Sequence, residues 1–135
     1  MLKANRIIAF VATANPSRAK KFYKDTLGLR FVSENEFAVV FDAGGIMLRV
    51  TPVKDFEPTC FTVLGWVVED ITKEVRELVE RGVKFQRYDW MKQDEDGVWT
   101  SPDNAKVAWF TDPDGNILSL TEFGREKKCG KRKSS

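Results

Sequence analysis

Hydrophobic and polar positions along this chain follow two periods, and the order in which the periods change predicts its elements. Arg6 to Thr13 (RIIAFVAT) is a run of branched and aromatic residues and predicts a strand. Asn15-Pro16-Ser17 follows, an asparagine cap with proline in the first helical turn. Arg18 to Leu27 then spaces Ala19, Phe22, Tyr23 and Leu27 on one helical face, with Lys20, Lys21 and Lys24 outside it and Gly28 as the stop. Three short apolar runs come next, Leu29 to Ser33, Phe37 to Asp42 and Ile46 to Thr51, so the first half reads strand, helix, strand, strand, strand.

From Pro58 the order starts again. Phe61 to Val68 predicts a strand; Glu69-Asp70 with Thr72 opens a helix whose stripe is Ile71, Val75, Leu78 and Val79 and which ends at Arg81-Gly82. Val83 to Tyr88, Lys106 to Thr111 and Asn116 to Glu122 predict three further strands. The last two are joined by Asp112-Pro113-Asp114-Gly115, where proline presets its own φ and Asp-Gly tolerates the positive φ of a tight hairpin. The chain is therefore an internal repeat divided near Glu57-Pro58. Only the second copy carries a long insertion, Asp89 to Asn104, polar and acidic at its centre yet bracketed by Trp90, Met91 and Trp99. An insertion of that length in a compact domain suits a lid or a binding loop.

Composition narrows the chemistry. The 135 residues include no histidine, which removes Ser-His-Asp and Cys-His nucleophile systems and His-ligated zinc. The formal charge of +2 divides unevenly. Residues 124–135 carry six bases and one acid; taking these from 22 and 20 leaves 16 bases and 19 acids, a net −3, for residues 1–123. A mildly acidic body (residues 1–123, one domain) with a basic, disordered tail (124–135) is expected, and without a basic stripe in the body no nucleic-acid partner is. Two cysteines, Cys60 and Cys129, build no disulfide scaffold, and no apolar run is long enough to span a bilayer. A cytoplasmic protein without a membrane partner is the expectation.

Two segments resemble those of a known superfamily. Phe22-Tyr23-Lys24-Asp25-Thr26-Leu27-Gly28-Leu29 is similar to its F-Y-x-x-x-L-G segment, and Phe110-Thr111-Asp112-Pro113-Asp114-Gly115-Asn116 to its F-x-D-P-[DE]-G-[NH] turn. These are hallmarks of the vicinal oxygen chelate proteins, which include glyoxalase I, extradiol dioxygenases, and fosfomycin- and bleomycin-resistance proteins. The resemblance implies an α+β fold of two βαβββ modules (residues 1–57 and 58–123) whose curved mixed sheet encloses a U-shaped cleft. It also implies four metal ligands on the first and last strands of the modules, at positions that fall on Ile8, Leu48, Val63 and Ser119. Three are hydrocarbon and a serine hydroxyl alone is a poor ligand, so no metal or other cofactor is expected, nor a metal-dependent glyoxalase or dioxygenase activity.

Strand alternation from those positions would also turn Phe10, Val50, Phe61, Gly65, Ile117 and Thr121 into the cleft, and Arg49 and Trp66 to the opposite face. Trp90 and Trp99 either stack on a ligand or plug the open end, and Lys106 either meets a ligand carboxylate or points to solvent. Such a cleft suits an apolar or aromatic small molecule. The expected function is binding of that molecule, with homodimerisation across the modules. Two alternatives stay open: a metal-dependent lyase or dioxygenase using residues such as Glu122 and Asp42, and an interaction module with a collapsed cleft.

Overall fold

A computed structural model describes residues 1–124; residues 125–135, the basic tail after Gly124 with Cys129, lie outside the described residues. The order is β1 (Ile8–Thr13), α1 (Pro16–Lys21), a π-helical turn (Phe22–Thr26), β2 (Arg30–Glu34), β3 (Val39–Ala43), β4 (Ile46–Pro52), β5 (Thr62–Val67), α2 (Ile71–Glu80), β6 (Trp99–Thr100), β7 (Lys106–Thr111) and β8 (Ile117–Glu122). This is the strand-helix-strand-strand-strand order twice. Each repeat forms its own four-stranded sheet, ordered β1-β4-β3-β2 and β5-β8-β7-β6. In both, the first strand runs parallel to the last and the other pairings are antiparallel.

The helices begin where the sequence places its caps. The Asn15 side chain accepts from the Arg18 amide at 3.1 Å ahead of Pro16, and Asp70 accepts from the Lys73 amide at 3.2 Å. The first helix is not uniform, however: at Phe22 its winding loosens into a π turn closed by Leu27 N donating to Phe22 O at 3.0 Å. Gly28, at φ +75°, then makes a turn that a side chain would strain.

One face of each sheet is covered and the other is open. In the first, Val11, Phe41, Leu48 and Val50 are buried with Ala19 and Tyr23; in the second, Ala108, Phe110, Leu118 and Leu120 are buried with Ile71 and Val75 of α2.

One predicted strand is absent. Val83 to Tyr88 makes only the isolated bridge of Phe85 to Phe110, and the place beside β7 is taken by Trp99–Thr100, inside the expected insertion. The reason lies in the intervening loop, which is tied to itself. Gln93 donates from Nε2 to the carbonyls of Gln86 and Gly97 and accepts from the Tyr88 amide, Asp94 Oδ1 accepts from the Asp96 and Val98 amides, and Arg87 donates to the carbonyls of Asp94 and Glu95. Of its acidic centre, Asp94 thus serves the loop's own backbone, while Asp96 and Glu95 pair with Arg76 of α2 at 3.2 and 3.6 Å.

The two repeats are joined at the Asp112–Asn116 hairpin. Thr13 and the Ala14 amide donate to the Asp114 carboxylate, Asn116 Nδ2 donates to Ala12 O at 2.9 Å, and the Tyr23 hydroxyl donates to Asp112 at 2.7 Å. No described helix is long and apolar enough to cross a membrane.

Candidate functional site

Register decides what the open faces carry. β1 and β4 pair Ile8 with Met47 and Phe10 with Arg49, while Val11 pairs with Val50 and Ala9 with Leu48. Directly paired residues share a face, so Ile8 and Phe10 lie on the open side with Met47 and Arg49. Leu48 and Val50, 1% and 0% exposed, are in the core under α1. The expected cleft positions of Leu48 and Val50 are therefore corrected, and so is that of Arg49, which was expected on the face opposite the cleft. A frame one residue out on β4 inverts every side chain of that strand.

In the second sheet, Gly65, Ser119 and Trp109 form one open-face row, and Val67, Thr121, Val107 and Trp99 the next. Ser119, Thr121, Ile117 and Gly65 thus share the face they were expected to share, with Trp66 opposite. Gly65 has a steric role: a Cβ there would stand 2.5 Å from the Ser119 hydroxyl. A bulge between Thr62 and Leu64 leaves Val63 without a partner on β8, and Phe61 precedes the strand, so strict alternation does not carry through these two. For Lys106 the ligand contact is corrected, and the exposed, solvent-facing alternative is the one the structure has. Lys106 pairs with Glu122 on the other face, beside Val68 and Asp70 at the start of α2.

The sequence reading missed the centre of the second sheet's open face. Trp109 lies between Tyr88 and Trp99, with ring centroids 5.9 and 6.2 Å away, and Tyr88 in turn lies 5.7 Å from Trp90. Four rings make a continuous aromatic row, and Trp90 at its end is 79% exposed. The signal was available, since Trp109 alternates against the core residues Ala108 and Phe110. On the first sheet the open face continues into a groove of about 550 Å³ lined by Ile8, Val32, Val40, Asp42 and Met47.

The polar groups here are few and mostly engaged. Asp42 lies 3.4 Å from Arg30 in an ion pair and accepts from the Gly45 amide at 2.7 Å. Glu122 accepts from the Ile71 amide at 3.0 Å, at the start of α2. Among the described residues no group of three or more Cys, Asp and Glu side chains could hold a metal ion. The open-face residues of β1, β4, β5 and β8 include Ile8, Phe10, Met47, Arg49, Gly65, Ser119 and Thr121, a set without carboxylate, imidazole or thiolate. Such donors do not fit a divalent ion.

Burial, and then the Asp112 carboxylate beside it, push the Tyr23 phenol far above its ordinary pKa, and Asp114 adds to the effect. Tyr23 therefore stays neutral and serves as a hydrogen-bond donor between the repeats.

Solved structures of similar fold span nearly the whole chain. A glyoxalase/bleomycin resistance protein/dioxygenase superfamily member from Sphaerobacter thermophilus is 25% identical, with 90% of this chain and 99% of that one covered and a TM-score of 0.72. A glyoxalase family protein from Enterococcus faecalis is 21% identical, with 90% and 100% covered and a TM-score of 0.71. A lactoylglutathione lyase from Agrobacterium tumefaciens is 15% identical, with 87% and 93% covered and a TM-score of 0.67. None of the curated proteins matches the sequence. The model of one family matches residues 5–120, taking in both repeats and the hairpin that joins them, and by that match the chain belongs to the Glyoxalase/Bleomycin resistance protein/Dioxygenase superfamily.

Proposed function

We propose that this protein binds a flat apolar or aromatic small molecule on the open faces of its sheets, in the manner of a bleomycin-resistance-type binding protein and without a resident metal ion. The observation that carries the reading is the row of Tyr88, Trp90, Trp99 and Trp109. Aromatic rings offer large contact area at low conformational cost, and a ligand ring stacking on them adds about 1–3 kcal/mol per contact. The donor set of the first and last strands argues against the lyase chemistry named for the Agrobacterium protein, whose identity of 15% carries the fold alone.

Titration with the neutral dye phenylnaphthylamine tests the reading. Saturable binding that quenches tryptophan fluorescence and raises the melting temperature by mass action is the expected result. No binding, or stoichiometric nickel, zinc, manganese or iron in the purified protein, overturns it.

The same faces leave Val67 73%, Phe10 62% and Ile8 48% exposed. Exposed apolar residues on a sheet face suit an interaction site. A second copy of the chain closing over these faces is part of the proposal. Light scattering should give twice the chain mass of 15.4 kDa; a monomer at all concentrations would remove this part alone.

A further inference from the structure

We propose that the ligand carries an oxyanion, a carboxylate, sulfonate or phosphate group, and that the Arg49 guanidinium receives it. This rests on the ligand-binding reading above and names the charge of the ligand. The strands of the first sheet contain two cations, Arg30 and Arg49. Arg30 is neutralised by Asp42. The Arg49 guanidinium has neither a side-chain hydrogen bond nor an ion pair among the described residues, although the residue is partly buried on the open face.

Its surroundings sharpen the point. The residue beside it on β1 is Phe10 and the residue beside it on β3 is Val40, both hydrocarbon. Along β4 the same face continues to Met47 and to Thr51, whose hydroxyl is buried and also lacks a hydrogen-bond partner. Asp42, the carboxylate on this face, already holds Arg30 and the Gly45 amide, so it does not compensate Arg49. A partly desolvated guanidinium with its fork of N–H donors unfilled is costly to keep unless something completes it. The planar fork matches an oxyanion through two parallel hydrogen bonds, and Phe10, 62% exposed beside it, offers contact for the apolar body of the same molecule.

Two dyes that differ in one sulfonate separate the charge from the apolar body. Anilinonaphthalene sulfonate should bind the unmodified protein about tenfold more tightly than neutral phenylnaphthylamine. Arg49→Gln should erase that preference, and Arg49→Lys, which keeps the charge and loses the fork, should leave an intermediate one. Circular dichroism of both variants checks that they fold. A preference that survives Arg49→Gln, or its absence from the unmodified protein while the neutral dye binds, overturns the proposal and leaves the ligand-binding reading standing. Failure of both dyes to bind overturns both. If Arg49→Gln changes the association state and spares the dye preference, the guanidinium belongs to a contact between copies and the proposal falls.

Discussion

Replacing Asp112 by alanine is expected to cost about 4 kcal/mol of stability, a large part of the roughly 5–15 kcal/mol that holds a domain folded. Asp112 is 5% exposed. Its carboxylate accepts from the Asp114 and Asn116 amides at 2.9 Å, from Asn116 Nδ2 at 2.8 Å and from the Tyr23 hydroxyl at 2.7 Å. Alanine leaves the Tyr23 hydroxyl and the Asp114 and Asn116 amides without this acceptor, while Asn116 Nδ2 keeps Ala12 O, and a buried donor deprived of its partner costs about 1–3 kcal/mol. Because Tyr23 comes from the first repeat and the other donors from the second, the loss also loosens the junction between them. Tyr23→Phe removes one bond and should cost about 1–2 kcal/mol. Urea unfolding measures both. An Asp112→Ala midpoint close to that of the unmodified protein would show that the Asp112 carboxylate does not hold the junction together.

The same pair sets a pH dependence. Unfolded tyrosine ionises near pH 10, whereas Tyr23 in the fold keeps its proton well above that, through burial first and the Asp112 charge second. Above about pH 10 the unfolded chain thus releases a proton that the folded chain retains, and stability falls as pH rises. Below that pH the contribution is fully present. Tyr23→Phe should flatten this part of the alkaline decline.

The second large effect is on binding. Trp109→Ala should weaken phenylnaphthylamine about tenfold or more, since one stacked ring is worth about 1–3 kcal/mol and each 1.4 kcal/mol is a decade of affinity. Trp109 touches both Tyr88 and Trp99, so its loss breaks the row into two parts. Trp90, at the open end, has one ring neighbour, and Trp90→Ala should weaken binding only about threefold. Trp109→Phe keeps a ring at the centre and should retain most of the affinity. Unaltered dye binding by a folded Trp109→Ala protein would show that the row is packing and takes no part in binding.

Most elements were legible because each rests on local chemistry. The β1 run, the Asn15 and Asp70 caps and the Asp112–Gly115 turn are decided within a few residues of themselves. The site was less legible. Leu48 and Val50 read as cleft lining because an apolar strand face has the same composition whether it lies under a helix or open to a ligand. Arg49 read as outward for the complementary reason. Val63 escaped the alternation because a bulge is an event of pairing, and Lys106 because its face depends on the register with Glu122.

The sequence by itself determined the doubled βαβββ order, the places where helices start and turns close, and the lack of imidazole. Those depend on local backbone preferences and on which residue types are present. Tertiary structure alone decided which half of each strand faces out, that Trp99 and not Val83 to Tyr88 supplies the fourth strand of the second sheet, and that Tyr23 is tied to Asp112. In a strand of period two the choice of face is a single binary decision, made by long-range pairing with a neighbour. Here that decision put Arg49 and the aromatic row on the open surface and Leu48 and Val50 in the core.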